Sequence, residues 1–127
     1  MRFARRVFLL AGGIGLLLLL PSYALEAWVG REYPPPISHP EYYYGFTGVA
    51  VAWQVAFLVI GTDPVRYRPL MLVGVLEKLS FGVPALALFA MGRVAPSIVL
   101  AALFDLTLGV FFVLAYRATG ERRGASA

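Results

Sequence analysis

Residues 70–91 read LMLVGVLEKLSFGVPALALFAM, an apolar run interrupted by the adjacent ionisable pair Glu77 and Lys78. A helix needs roughly 20 mostly apolar residues to cross a hydrocarbon core of about 30 Å. The run meets that length, and in lipid it must be a helix, because every backbone donor and acceptor has to be paired within the segment. Three further apolar runs flank it: Val7 to Leu20, extendable to Val29; Tyr42 to Ile60; and Val94 to Tyr116. The expected architecture is therefore all-α, a transmembrane four-helix bundle. Its helices should lie at about 7–29, 42–60, 70–91 and 94–116, with a flexible tail over 117–127. All belong to one transmembrane domain spanning 1–127.

Composition supports the same class. The chain has 127 residues, is 60% hydrophobic and only 14% charged, and its mean hydropathy is +0.76. Soluble domains carry about 25% charged residues. The net charge of +4 raises nucleic acid as a partner. That would require basic residues gathered on a soluble face. Here they lie between apolar runs, so the bilayer and its anionic headgroups are the expected partners and nucleic acid is not. The absence of cysteine removes disulfides, thiolate catalysis and cysteine-ligated metals.

The first run admits two readings. Arg2, Arg5 and Arg6 precede it, Pro21 interrupts it, and Ser22-Tyr23-Ala24 resembles a cleavage site, which is the layout of a signal peptide. Leu25, Ala27, Trp28 and Val29 continue the apolar character, so a retained, kinked span is the favoured reading. The arginines fix the expected orientation. Eight lie in the N-terminal segment, the second-to-third connection and the C-terminal tail, whereas the other two connections hold only Arg31 and Arg93. Basic residues accumulate on the cytoplasmic side, so both termini are expected there.

The connections differ in character. Residues 31–41, REYPPPISHPE, form the longest, with three prolines expected to be extended. Ser38 and Glu41 fit a capping box at the start of the second span. Tyr42, Tyr43 and Tyr44 then fall at the water boundary, where amphipathic rings belong. GTDPVRYRP, residues 61–69, is a short turn, and its Arg66, Tyr67 and Arg68 are expected to contact headgroups. Gly92-Arg93 is expected to close a tight hairpin.

Polar residues inside the spans are costly, about 2.5–3.5 kcal/mol for a central charge, and are expected to face the bundle interior with partners. They are Gln54, Glu77, Lys78 and Asp105, a buried polar cluster. Glu77 and Lys78 stand about 100° apart around their helix. Lys78 therefore reaches Asp105 while Glu77 faces Gln54, or the assignments are exchanged. The cluster is either a staple fixing helix register or a functional site. Gly48, Ala52 and Ala56, Ala101 and Gly109, and Gly12, Gly13 and Gly15 are small residues suited to close helix packing. His39 with Glu41 or Glu32 lacks the fixed spacing of a metal site, so no metal is expected. No nucleophile–base pair, phosphate loop or haem pattern appears, so catalytic residues are not identified and no cofactor is expected.

HPEYYYGFTGVAVAWQ, DPVRYRPLM and VLEKLSFG resemble the repeated phrases of a family of uncharacterised small bacterial four-helix integral membrane proteins, and more distantly the DoxX-like membrane proteins. The resemblance spans about Pro34 to Arg117. It implies a four-helix architecture with the first helix retained, in the bacterial plasma (inner) membrane as a multi-pass protein, and implies no activity. Three functions compete. The first is a non-catalytic accessory or interaction module, as a homo-oligomer or beside a membrane-protein partner. The second is a small proton-coupled transporter or exporter, and the third a membrane enzyme acting on a lipid or quinone. A water- or lipid-accessible cavity at Glu77 and Asp105 separates the last two from a plain staple.

Overall fold

The computed structural model describes residues 2–125, without the side chains of 122 and 123. Its elements are α1 (Arg2–Leu19), a 3-10 turn (Leu20–Ala24), α2 (Glu26–Glu32), α3 (Pro40–Thr62), α4 (Arg68–Ala90) and α5 (Pro96–Ala125). No strand occurs among the described residues. Four segments are long and apolar enough to cross a membrane: Arg2–Ala24, Pro40–Thr62, Arg68–Ala90 and Pro96–Glu121.

Their outward faces are apolar, the reverse of a soluble bundle: Leu17, Leu76 and Leu100 are 75%, 63% and 72% exposed. Between such helices lipid competes on equal terms with protein, so close packing and interior polar contacts hold them together. α1 packs along α3, α4 packs along α5, and α1 also meets α5, while α3 touches α4 only lightly. The start of α1, the end of α3, the start of α4 and the end of α5 gather at one end of the bundle, which holds most of the arginines and is here the arginine end. Residues 33–39 and the turn after α4 lie at the other, the loop end.

Proline and glycine mark the boundaries. Proline occupies the first turn of α3, α4 and α5, where its missing N–H would be unpaired anyway. α4 stops at Gly92, whose φ of +70° is open to glycine at little cost. The Gly92 N–H donates to the Phe89 carbonyl and the Arg93 N–H to the Leu88 carbonyl, each at 2.9 Å, which closes the helix end and starts the expected hairpin. Pro84 lies inside α4 and cannot donate to the Ser80 carbonyl, yet the helix continues to Ala90.

Several boundaries depart from the sequence reading. The first helix begins at Arg2, and Pro21 turns it into a 3-10 segment that ends at Ala24. Residues Glu26–Glu32 then form the separate helix α2, so the span does not run unbroken to Val29. The capping box is absent: His39 is the residue before α3, no side chain caps the helix, and Ser38 is exposed. Glu41 instead accepts a hydrogen bond from the His39 ring at 3.0 Å. That local pair removes the glutamate from the backbone donor a capping box would give it. The Pro34–Pro35 peptide is cis where an extended run was expected. α5 carries on to Ala125, so most of the tail is helical; residues 126–127 lie outside the described residues.

The buried apolar core occupies the arginine-end half. Phe8 of α1 stacks on Phe112 of α5 with ring centroids 4.3 Å apart, and Phe57 of α3 meets Phe112 edge-on at 4.9 Å. Met71 of α4 and Ile60 of α3 complete this layer, and all five side chains are fully buried. Four helices thus converge on three rings, each ring pair worth about 0.5–1.5 kcal/mol beyond its burial. Phe8 makes α1 integral to the bundle.

Candidate functional site

The polar residues lie just on the loop side of this aromatic layer. Lys78 is 3% exposed and Gln54 4%. The Lys78 Nζ donates to Asp105 Oδ1 at 3.2 Å, joining α4 to α5 at mid-span. It also stands 3.3 Å from Glu77 Oε2, although that oxygen accepts no hydrogen bond, so the second contact is an ion pair without hydrogen-bond geometry. The 100° between adjacent residues is bridged by the lysine's long stem. The same ammonium lies 5.2 Å from the centroid of the Phe57 ring, where the π face adds attraction.

Of the two pairings weighed from sequence, the structure contains Lys78 with Asp105. Glu77 makes no hydrogen bond to Gln54. The Gln54 Nε2 donates instead to the Ala50 carbonyl one turn back at 3.1 Å. Its amide lies against Gly15 of α1, where a Cβ would overlap it, and its backbone carbonyl lies against Gly12, where a Cβ would be 2.7 Å away. The two α1 glycines are therefore points of close approach between α1 and α3, as is Gly61 of α3 against Leu9. The stripe of Gly48, Ala52 and Ala56 is not such a seam: Ala52 is exposed, and Gly48 meets only the Tyr23 hydroxyl. Gly109 does pack on the Lys78 stem, its built Cβ standing 3.4 Å from the lysine Cβ.

A cavity of about 530 Å³ ends on these polar groups. α1 lines it with Ala11, Gly15 and Leu18, α3 with Phe46 and Gln54, α4 with Glu77, Lys78 and Phe81, and α5 with Ala101, Phe104 and Asp105. Every one of these positions lies at mid-span or towards the loop end, and the Phe8–Phe57–Phe112 layer closes the arginine end. Leu18, Phe46 and Phe104 keep 61%, 60% and 43% of their surface exposed, so the cavity is not sealed. Its size falls within the range of about 300–1,000 Å³ typical of small-molecule sites, and it joins apolar walls to a few convergent polar groups.

A second pocket of about 500 Å³ lies beyond it at the loop end, lined by Tyr23, Glu26, Ala27, Gly30, Ile37 and Tyr44 among others. The boundary tyrosines form its frame. The Tyr44 hydroxyl donates to Glu26 Oε2, and the Tyr43 hydroxyl to the Ser22 carbonyl, both at 2.7 Å. Tyr23 and Tyr44 stack with centroids 6.1 Å apart. Tyr42, by contrast, is 71% exposed and stacks on His39.

At the arginine end, the three residues expected at headgroups separate. Arg66 is exposed and lies over the Tyr67 ring at 5.5 Å. Tyr67 is half-buried against the core. Arg68 turns inward: its Nε donates to the Tyr116 carbonyl at 3.1 Å, and its guanidinium lies 3.6 Å from the centre of the Tyr116 ring. No group of three or more potential metal ligands occurs among the described residues. Of the four residues expected to be buried, Gln54 and Lys78 are, whereas Glu77 and Asp105 are half-buried; sequence reasoning missed the two cavities, the Tyr44–Glu26 bond and the Arg68–Tyr116 contact. All of these depend on which helices become neighbours, a relation that carries no local signal. The chain matches no protein-family model, no curated protein and no solved structure.

Proposed function

We propose that this small multi-pass membrane protein binds a mostly apolar small molecule inside its helix bundle, with the ligand's polar group at the Glu77–Lys78–Asp105 cluster. The observation that carries the reading is the cavity of about 530 Å³ ending on those side chains. A staple that only fixed helix register needs no recess beside it, whereas apolar walls around a few convergent polar groups are what a small-molecule site requires. An accessory role remains compatible with such a site, because a bound ligand stabilises the fold that binds it. The one-sided cavity, closed at the arginine end by three phenylalanines, favours export or uptake as a second reading, in which access would alternate across that layer. Both readings place the protein in a bacterial plasma membrane with its arginine end, and so both termini, in the cytoplasm.

Native mass spectrometry of the protein purified in mild detergent tests the binding reading. A small-molecule adduct is expected on the wild type and should be lost from Ala101→Trp, whose indole would occupy the cavity. Identical adducts on both would overturn it.

A further inference from the structure

The charge within the two cavities assigns a ligand class, and we propose that the inner cavity takes an organic cation with an apolar body. This rests on the inner cavity being the binding site. Two carboxyl groups, Glu77 and Asp105, face one ammonium, Lys78, so one carboxyl group has no cation of its own and is balanced by a proton or by a bound cation. The buried Glu77 Oε2 accepts no hydrogen bond. Among the described residues no other ionisable group lines the cavity: α1 contributes small and apolar residues, and α3 contributes Gln54, which does not titrate. An anionic ligand would add a further negative charge to this low-dielectric site. A cationic ligand takes the place of that proton and becomes the counter-charge of the carboxylate, which no anionic ligand can do.

The walls agree with that sign. Phe46, Phe81 and Phe104 line the cavity, and aromatic rings attract cations over their faces while accepting apolar groups elsewhere. The loop-end pocket repeats the pattern with Tyr23, Tyr44 and Glu26, and neither lysine nor arginine lines it. Tyr23 follows Leu19 of the inner cavity by four residues, about one helical turn. The loop-end pocket, with one acid and two phenols, thus lies about one turn from the inner cavity. The chain as a whole is positive by +4, yet both cavities are lined by more acidic than basic residues, a bias that does not follow from composition.

The test uses the full chain in nanodiscs and two probes of one shape and opposite charge, tetraphenylphosphonium and tetraphenylborate, with benzyltrimethylammonium as a smaller cation. Ala101→Trp and Ala50→Phe, each checked for a wild-type circular dichroism spectrum and melting point, report partition into lipid alone. Saturable binding of at least one cation above those baselines is expected, with affinity for the phosphonium at least about tenfold above that for the borate. Glu77→Gln, which leaves Lys78 paired with Asp105, should weaken cation binding by a similar factor. Borate binding as tight as phosphonium, or no effect of Glu77→Gln, would overturn the cation assignment while leaving the cavity as a binding site. Binding of no probe above the baselines would overturn both.

Discussion

Lys78 Nζ lies 3.2 Å from Asp105 Oδ1 and 3.3 Å from Glu77 Oε2, so one ammonium joins α4 to α5 while standing beside its own neighbour. Removing one member of a buried ion pair leaves the other uncompensated and costs about 3–5 kcal/mol. Lys78→Met is therefore expected to lose about that much stability in detergent–denaturant unfolding. Adding Asp105→Asn should restore more of it than adding Glu77→Gln, because only Asp105 accepts a hydrogen bond across helices. A coupling of about 0.5–3 kcal/mol for Lys78 with Asp105 is the expected result, and strict additivity would contradict the contact.

Arg68 is a structural residue with a planar requirement. Its guanidinium bonds the Tyr116 carbonyl while stacking on the Tyr116 ring, and a lysine ammonium reproduces the charge without the stacked plane. Arg68→Lys is expected to cost about 0.5–2 kcal/mol in the same unfolding measurement. The exposed Arg66→Ala should stay within about 0.5 kcal/mol of wild type, as surface substitutions usually do. Equal losses at the two positions would mean that the inward turn of Arg68 contributes nothing.

Gly13 and Gly15 offer a matched pair on one helix. A Cβ on Gly13 would meet nothing within 4 Å, whereas one on Gly15 would overlap the Gln54 amide. Gly13→Ala should be neutral or stabilising by up to about 1 kcal/mol through helix propensity. Gly15→Ala must push α1 from α3 or move Gln54, at about 1–3 kcal/mol for overpacking. The comparison is read from melting temperatures in one detergent; a Gly15→Ala variant as stable as Gly13→Ala would show that Gln54 moves aside freely.

These residues also show what was legible in the sequence. The four spans were, because bilayer thickness sets segment length and hydropathy reports it directly. The burial of Gln54 and Lys78 was as well, since lipid leaves such groups nowhere else to go. The boundaries at residues 20–40 were not. Pro21 redirected the chain into a 3-10 turn, and Glu41 bonded His39 rather than closing a capping box with Ser38. Ser38, His39 and Glu41 at one helix start offer more than one local pairing, and periodicity does not rank them. Ser38→Ala is accordingly expected to change stability by less than about 0.5 kcal/mol, where a capping role would cost about 0.5–2 kcal/mol.

Topology is the last expectation. Four spans return the chain to the side on which it started, and the elements with most arginines, the start of α1, the connection from α3 to α4 and the end of α5, share one end of the bundle. Anionic lipids and the membrane potential hold such an end in the cytoplasm. A reporter active only in the periplasm should be silent when fused after Arg117 and active when inserted between Pro35 and Pro36. A cytoplasmic reporter should give the reverse pattern. Replacing Arg66 and Arg117 with Gln should leave the pattern intact, because the remaining arginines at that end still outnumber Arg31 and Arg93. Activity of the periplasmic reporter after Arg117 would falsify this orientation.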